Sequence, residues 1–282
     1  MAMLFKGAPV AAALSEQVQN QIAECHVVPT LAILRVGERA DDVAYEASAV
    51  RRCQQMGLAA VRYTLPMDCG LQRLRETVEE INCRTDIHGC LILRPLPDRV
   101  WEDMAVELLR PEKDVDGMTT GSMAAVFTGK GLGYPPCTAQ ACLKLLEHYG
   151  VDLEGKRVTV VGRSLVVGRP LAMLLQARNA TVTMCHTKTR DLRRACREAE
   201  ILMVTAGQAG LITEEYVSPG QVVVDVGIHP DGAGGLRGDV DFPRVEPVVA
   251  AITPVPSGVG TVTTALLASH VVDAATRAVS QR

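Results

Sequence analysis

The sequence predicts an α/β chain in two lobes: an N-terminal βα lobe, a Rossmann-like second lobe, and a last helix that returns to the first. Three observations predict it. Short β-rich runs alternate with amphipathic helical runs, the rhythm of parallel strands joined by crossover helices. The stretch Val158 to Pro170 reads as strand, glycine turn and helix start. The chain is 282 residues long and 48% apolar, enough to fill two cores. The expected domains are residues 1–137 with about 261–282, and residues 138–260.

The elements follow in order. Val10 to Glu24 carries Leu14, Val18 and Ile22 at helical spacing. Strands are expected at Thr30 to Val36, Ala59 to Leu65 and His88 to Leu93, with helices at about Val43 to Met56 and Leu71 to Asn82 between them. Pro95-Leu-Pro97 ends the third strand, and a helix runs from Arg99 to Leu109. The charged loop Pro111-Glu-Lys-Asp-Val-Asp-Gly117 is a candidate site, although surface turns share that composition. From Pro136-Cys-Thr138 a helix to about Tyr149 leads into the second lobe, whose later strands are Thr181 to Cys185, Ile201 to Thr205, Val222 to Val226 and Ala251 to Thr253. Thr253 to Gly260 reads as a rigid loop, and a final helix spans about Thr263 to Val279. Packed back on the first lobe, that helix would set the active cleft between the lobes.

Val158 to Val161 end at Gly162, and Gly168-Arg169-Pro170 opens the run Leu171, Leu174, Leu175, with Pro170 suited to a first helical turn. A helix start there offers free N–H groups to a pyrophosphate, so Gly162, Arg163, Ser164, Val167 and Gly168 form a candidate dinucleotide cradle. The spacing is Gly-x-Ser-x-x-x-Gly, not Gly-x-Gly-x-x-Gly, and an ordinary βα turn is the competing reading. The next strand runs into His186-Thr187-Lys188-Thr189. NAD folds place Asp or Glu there for the ribose hydroxyls. This chain has neither; Thr187, Lys188 and Arg163 suit a 2′-phosphate, so the expected cofactor is NADP. His186 either lines the cofactor edge or is a plain strand-end polar residue. Ala206, Gly207 and Gly227 end later strands where the backbone can approach a ligand closely.

Composition excludes several classes. A net charge of −3 with scattered Lys and Arg argues against nucleic-acid binding. Nine cysteines without a C-x-x-C pair fit neither a disulfide framework nor a zinc site, so no metal is expected and a reducing cytoplasm is the simple reading. Lys6-Gly7 interrupts the apolar start, so no export signal is expected, and no apolar run approaches the ~20 residues of a membrane span. Cys137 and Cys185 read as small buried hydrophobes.

The chain carries Pro111 to Gly117, Val161 to Pro170, Asp225-Val-Gly-Ile228, Gly238-Asp-Val240 and Ile252-Thr-Pro-Val-Pro-x-Gly-Val-Gly260 as the signatures of a resemblance that runs over essentially its whole length. In them it resembles the methylenetetrahydrofolate dehydrogenase/methenyltetrahydrofolate cyclohydrolase family, the bacterial bifunctional FolD proteins. The resemblance implies a folate-binding catalytic first lobe and an NADP-binding second lobe. It also implies oxidation of 5,10-methylenetetrahydrofolate to 5,10-methenyltetrahydrofolate, tetrahydrofolate derivatives as ligands, and a homodimer. It assigns Tyr45 and Asp116 to substrate and catalysis, Pro256 and Gly258 to the substrate loop, and Ile228 with Gly227 to the cofactor.

Two positions depart together. The family's Tyr-x-x-x-Lys reads Tyr45-Glu-Ala-Ser-Ala49, and its Val-Gln-Leu-Pro-Leu-Pro reads Ile92-Leu-Arg-Pro-Leu-Pro97, placing Leu93 where the lysine's Gln partner belongs. The family's Gly-Gly-Val-Gly-Pro loop becomes Ser257-Gly-Val-Gly-Thr261. Hydride transfer draws mainly on holding two reactants face to face, and tolerates loss of a lysine. Hydrolysis of the methenyl cation needs an activated water and moved protons, which Ala49 cannot supply. Arg52 shares a helix face with Tyr45 but hardly ever releases its proton. The expectation is an NADP-dependent dehydrogenase with weak or absent cyclohydrolase activity. Two alternatives stay open: a fully bifunctional enzyme in which another group replaces the lysine, and a non-catalytic folate- or nucleotide-binding relative. Asp114 reads as a brace of its own turn, and Tyr45 without the resemblance would read as a packing residue.

Overall fold

The computed structural model describes residues 1–25 and 27–280. The chain opens with β1 (Met3–Leu4) and α1 (Gly7–Glu24). Then come β2 (Thr30–Val36), α2 (Ala40–Gln55), β3 (Ala59–Leu65), α3 (Gly70–Cys83), β4 (Gly89–Ile92), α4 (Arg99–Leu108), α5 (Thr120–Thr128) and α6 (Cys137–His148). The rest runs β5 (Arg157–Val161), α7 (Gly168–Gln176), β6 (Thr181–Cys185), α8 (Leu192–Arg197), β7 (Ile201–Val204) and β8 (Val222–Asp225). It closes with β9 (His229–Pro230), β10 (Leu236–Arg237), α9 (Phe242–Val245), β11 (Ala251–Ile252) and α10 (Val259–Ser280).

One compact unit comprises Ala13–Cys137 and the chain from Thr264 on. Its sheet has the order β3-β2-β4, all parallel. Every residue of the central strand β2 is buried, as expected of a parallel strand covered on both faces. Leu34, Ile92, Leu74, Val78 and Ile81 share one core under α3 and α4. Val271 of α10 lies against Gly89 of β4, where an added Cβ would come within 3.2 Å of it, so the C-terminal helix belongs to this unit.

The other unit comprises Met1–Ala12 and Thr138–Thr263. Its six-stranded sheet has the order β1-β11-β8-β7-β5-β6, all parallel, with Val161, Leu202, Val204 and Val223 in its core. The N-terminus differs from expectation here. Residues 1–12 join this unit and not the one that follows them in sequence, because β1 pairs with β11. Phe5 N donates to Ile252 O at 2.9 Å, and the Phe5 ring stacks on Tyr149 at 4.2 Å. A two-residue strand is too short to show a period in sequence.

Helix ends differ for local reasons. α1 starts at Gly7 with Pro9 in its first turn, and α10 starts at Val259 rather than Thr263. No element was expected between residues 118 and 135, yet α5 forms there. Thr119 caps it by accepting from Ser122 N at 3.1 Å, and Gly129 closes it at φ +67°.

Candidate functional site

In the first unit the site grows from α2. Its inner stripe is Asp42, Glu46, Ala49 and Cys53, all buried. Glu46 fixes the helix to the sheet through Arg35 Nε at 2.5 Å and Arg62 Nε at 3.2 Å, linking α2 to β2 and β3. Tyr45, one residue earlier, is thereby held at the stripe's edge and stays 53% exposed. Its neighbours are Asp116, Cys137 and Arg52. Burial of the hydroxyl pushes the Tyr45 pKa up, Asp116 and Cys137 add to the shift, and Arg52 opposes it. Arg52 itself donates to Thr264 Oγ1 at 2.5 Å.

Asp116 sits in the charged loop beside Arg94, Asp114 and Cys137. Its carboxyl is raised to about 6, chiefly by burial, with Arg94 and a hydrogen bond with Cys137 pulling it down and Asp114 adding to the rise. Asp114 is fully buried and accepts from Met118 N at 3.0 Å and Thr119 N at 2.7 Å, so it braces the turn. Gly117 completes that turn at φ +71°, where a Cβ would collide with the Pro135–Pro136 backbone. Ala49 and Leu93 are each 6% exposed, so both positions where the family pattern has polar groups are apolar and buried. Burial pushes the Cys137 thiol pKa well up, and its Sγ donates to Val115 O at 3.4 Å.

In the second unit, the loop between β5 and α7 is shaped by two glycines. Gly162 has φ +128°, and a Cβ there would collide with Thr205 O; a Cβ on Gly168 would collide with Gly162 O. Ser164 Oγ accepts from Val167 N at 3.1 Å and Gly168 N at 3.4 Å, holding the loop open, while Arg163 stays exposed. The N-cap residue Val167 makes no side-chain cap bond, and the first helix amides are held within the loop, Gly168 N by Ser164 Oγ and Arg169 N by Ser164 O at 3.0 Å. The fit to a dinucleotide therefore rests on the tight strand–glycine–helix turn, where Gly162 and Gly168 leave the backbone bare for close approach. At the end of β6, His186 N donates to Thr189 Oγ1 at 2.9 Å and His186 Nδ1 accepts from Lys188 N at 3.1 Å, a tight turn that leaves Thr187 and Lys188 exposed. Cys185 beside it is 1% exposed, and burial raises its thiol pKa.

Sequence reasoning gave no role to the carboxylates under the next strand ends. Asp225 is 3% exposed and accepts from Gly227 N, Asp239 N and Val240 N at 2.9–3.0 Å. Burial pushes its carboxyl up to about 7 while those three amides pull it down. Asp239 accepts from Gly207 N at 2.9 Å and pairs with His229 Nε2 at 2.7 Å. This network sets the backbone of Gly207 and Gly227, the positions expected to approach the cofactor, next to Ala206 and the exposed Ile228. Asp225 and Asp239 were visible only as parts of signatures, and Arg94 and His229 carried no signal.

The loop expected to border the substrate has a cis Val255–Pro256 bond and Ser257 at φ +83°; a Cβ on Gly258 would come within 2.5 Å of Pro254 O. Among the described residues no group of three or more His, Cys, Asp or Glu is placed to hold a metal ion, and no helix is long and apolar enough to cross a membrane.

Comparison with known proteins agrees with these two halves. Residues 5–116 match the tetrahydrofolate dehydrogenase/cyclohydrolase catalytic domain, and residues 136–279 match that family's NAD(P)-binding domain. The Bifunctional protein FolD of Carboxydothermus hydrogenoformans is 46% identical over 279 residues, covering 97% of each chain. The bifunctional FolD methylenetetrahydrofolate dehydrogenase/cyclohydrolase of Campylobacter jejuni superposes with a TM-score of 0.94 at 34% identity, covering 98% of this chain and 99% of that one. The FolD of Trypanosoma brucei, solved with NADP cofactor and an inhibitor, gives 0.91 at 31% identity, covering 99% and 98%. The chain belongs to the tetrahydrofolate dehydrogenase/cyclohydrolase family.

Proposed function

We propose that this protein is an NADP-dependent 5,10-methylenetetrahydrofolate dehydrogenase whose cyclohydrolase activity is weak or absent. The observation that carries the reading is the contrast within one neighbourhood. Tyr45 and Asp116 stand together, while Ala49 and Leu93 are buried and apolar where the family pattern carries a lysine and its glutamine. The names of the relatives support the folate chemistry, and the Trypanosoma brucei structure supports NADP as cofactor.

NADP bound at the β5–α7 loop supplies the hydride acceptor. Gly162, Ser164, Val167 and Gly168 hold the loop that takes its pyrophosphate, and Arg163, Thr187 and Lys188 receive the 2′-phosphate. His186, Ala206, Gly207, Gly227 and Ile228 line the cofactor, the two glycines being set by the Asp225–Asp239 network. Tyr45 packs against the folate, Asp116 holds the pterin by hydrogen bonding, and Pro256 and Gly258 border it. No step of hydride transfer needs a protein base, so orientation by these groups suffices. The domains follow as a folate unit and a nucleotide unit, and we assign the protein to the cytoplasm as a homodimer.

A second reading, hydrolysis with another group in place of the lysine, is favoured by one observation. The Asp116 carboxyl, pushed up to about 6, titrates close enough to neutrality to exchange protons with water. A single spectroscopic assay with methylenetetrahydrofolate and NADP separates the readings by following NADPH and the methenyl product together. Matching accumulation of both is the expected result. NADPH without methenyl accumulation would establish the second reading, and no NADPH from folded protein would refute both.

A further inference from the structure

The unit that carries Tyr45 and Asp116 has a second cavity, of about 370 Å³, at the other end of its sheet. Ile87 and His88, which line it, precede β4, whereas Leu93 and Arg94 follow that strand. The cavity therefore opens at the opposite end of β4 from Leu93 and Arg94, its wall taking Glu112 and Lys113 from the start of the loop that carries Asp116, and its volume is that of a small-molecule site. Four cationic side chains line it, Arg84, Arg110, Lys113 and Arg277, against the single carboxylate of Glu112.

Two of the four form the wall. Arg84 is engaged by Asp86 at 2.5 Å, and Lys113 Nζ donates to Ile81 O at 2.5 Å and Arg84 O at 2.6 Å. The other two are available. The Arg110–Glu112 contact is long, 3.7 Å, and Arg277 makes no ion pair within 4.0 Å among the described residues. Instead Arg277 lies over the ring of Tyr134, 5.0 Å from its centroid. That ring stacks on His270 at 4.7 Å, which fixes its orientation. Tyr134 is 3% exposed, and its hydroxyl has no hydrogen-bond partner among the described residues. A buried donor without an acceptor is disfavoured, and one in the wall of a cationic cavity calls for an anionic oxygen.

We propose that this cavity binds a compact multivalent oxyanion, a phosphate ester or a small polycarboxylate. The Tyr134 hydroxyl donates a hydrogen bond to it, and Arg110 and Arg277 supply the charge. The site is separate from the folate and nucleotide positions and does not depend on which reactions the enzyme performs.

The test is calorimetric titration of the intact protein, saturated with NADP so that the β5–α7 loop is occupied. Inorganic pyrophosphate is the probe in one arm and citrate in the other, and the arm that saturates identifies the source class. The expected result is one-site binding that Arg110→Gln and Arg277→Gln each weaken about tenfold or more, and that Tyr134→Phe weakens roughly fivefold. Arg99→Ala, at an exposed position on α4 away from the cavity, is expected to leave the affinity unchanged. Tyr134→Phe removes one oxygen without disturbing the ring stack, so it keeps the test decisive should an arginine variant fail to fold. Absence of saturable heat in both arms overturns the proposal. So does an affinity unchanged in folded Tyr134→Phe and Arg277→Gln, which would place the anion elsewhere.

Discussion

Restoring the lysine is the sharpest perturbation the site allows. Ala49 is 6% exposed on α2, one turn beyond Tyr45, so Ala49→Lys carries an ammonium into a dry position. Full burial lowers a lysine pKa by about 3–5 units, and each unit is about 1.4 kcal/mol. An unpartnered lysine there costs about 4–5 kcal/mol at neutral pH, because once its folded pKa falls below the solution pH it gives up its proton, and that cost approaches the whole stability of a domain. The sign follows from proton uptake. Between the lowered folded pKa and the unfolded value near ~10.4, the unfolded chain binds more protons, so stability rises with pH and the penalty vanishes above that range. Leu93→Gln alone buries an amide with no partner and costs about 1–3 kcal/mol. Together the two groups can bond, and the double variant should recover about 1.5–3 kcal/mol relative to the sum of the singles. Urea unfolding of the four proteins measures that coupling, and the rate of methenyl hydrolysis measures the chemistry. The double variant should gain ~10²–10⁴-fold in hydrolysis. A double variant that folds, shows the coupling and still hydrolyses at the parental rate refutes the claim that these two positions hold the missing activity.

Three further outcomes follow from the same geometry. The Asp116 carboxyl is raised to about 6, so it loses its charge as the pH falls through 6; kcat/KM for the folate should show an acid limb there that disappears in Asp116→Asn, whose KM is raised throughout. Arg163→Ala should raise KM for NADP about tenfold or more while leaving the NAD value nearly unchanged, and equal effects on both cofactors would remove Arg163 from the 2′-phosphate. Ser257 sits at φ +83°, which costs an L-residue about 1–2 kcal/mol, against about 0.5–1 kcal/mol of extra chain entropy for glycine. Ser257→Gly should therefore stabilise the protein by about 0.5–1 kcal/mol, and a lowered denaturation midpoint would contradict the assigned backbone.

What was legible in the sequence was whatever stands on local pattern. β2, β3 and β6 have the expected bounds because β-branched runs are flanked by turn residues. The tight turn between β5 and α7 was legible because Gly162 and Gly168 punctuate a strand-to-helix pattern, and the structure gives each a steric reason. Elements held by partners distant in sequence were not legible: β1 exists through β11, and β9 through β10. The same holds for charge. Arg35, Glu46 and Arg62 carried no signal in sequence, yet Glu46 is 6% exposed and, paired to both arginines, holds the helix that carries Tyr45. Asp225 and Asp239 likewise fix the backbone of Gly227 and Gly207.

That distinction explains why the two departures from the family pattern occur together. A buried amide is tolerated only while its hydrogen bonds are met. Once position 49 holds alanine, a glutamine at position 93 loses the cation it would face and becomes a liability of about 1–3 kcal/mol, which leucine removes while filling the space. On this argument Leu93 is the structural consequence of Ala49, and the order of restoration matters: lysine first is strongly destabilising, glutamine first mildly so, and the pair offsets part of the loss while supplying the chemistry. The nucleotide half shows no such relaxation, since Gly162, Gly168 and the Asp225–Asp239 network all keep conformations that a chain with no cofactor to bind has no physical reason to hold.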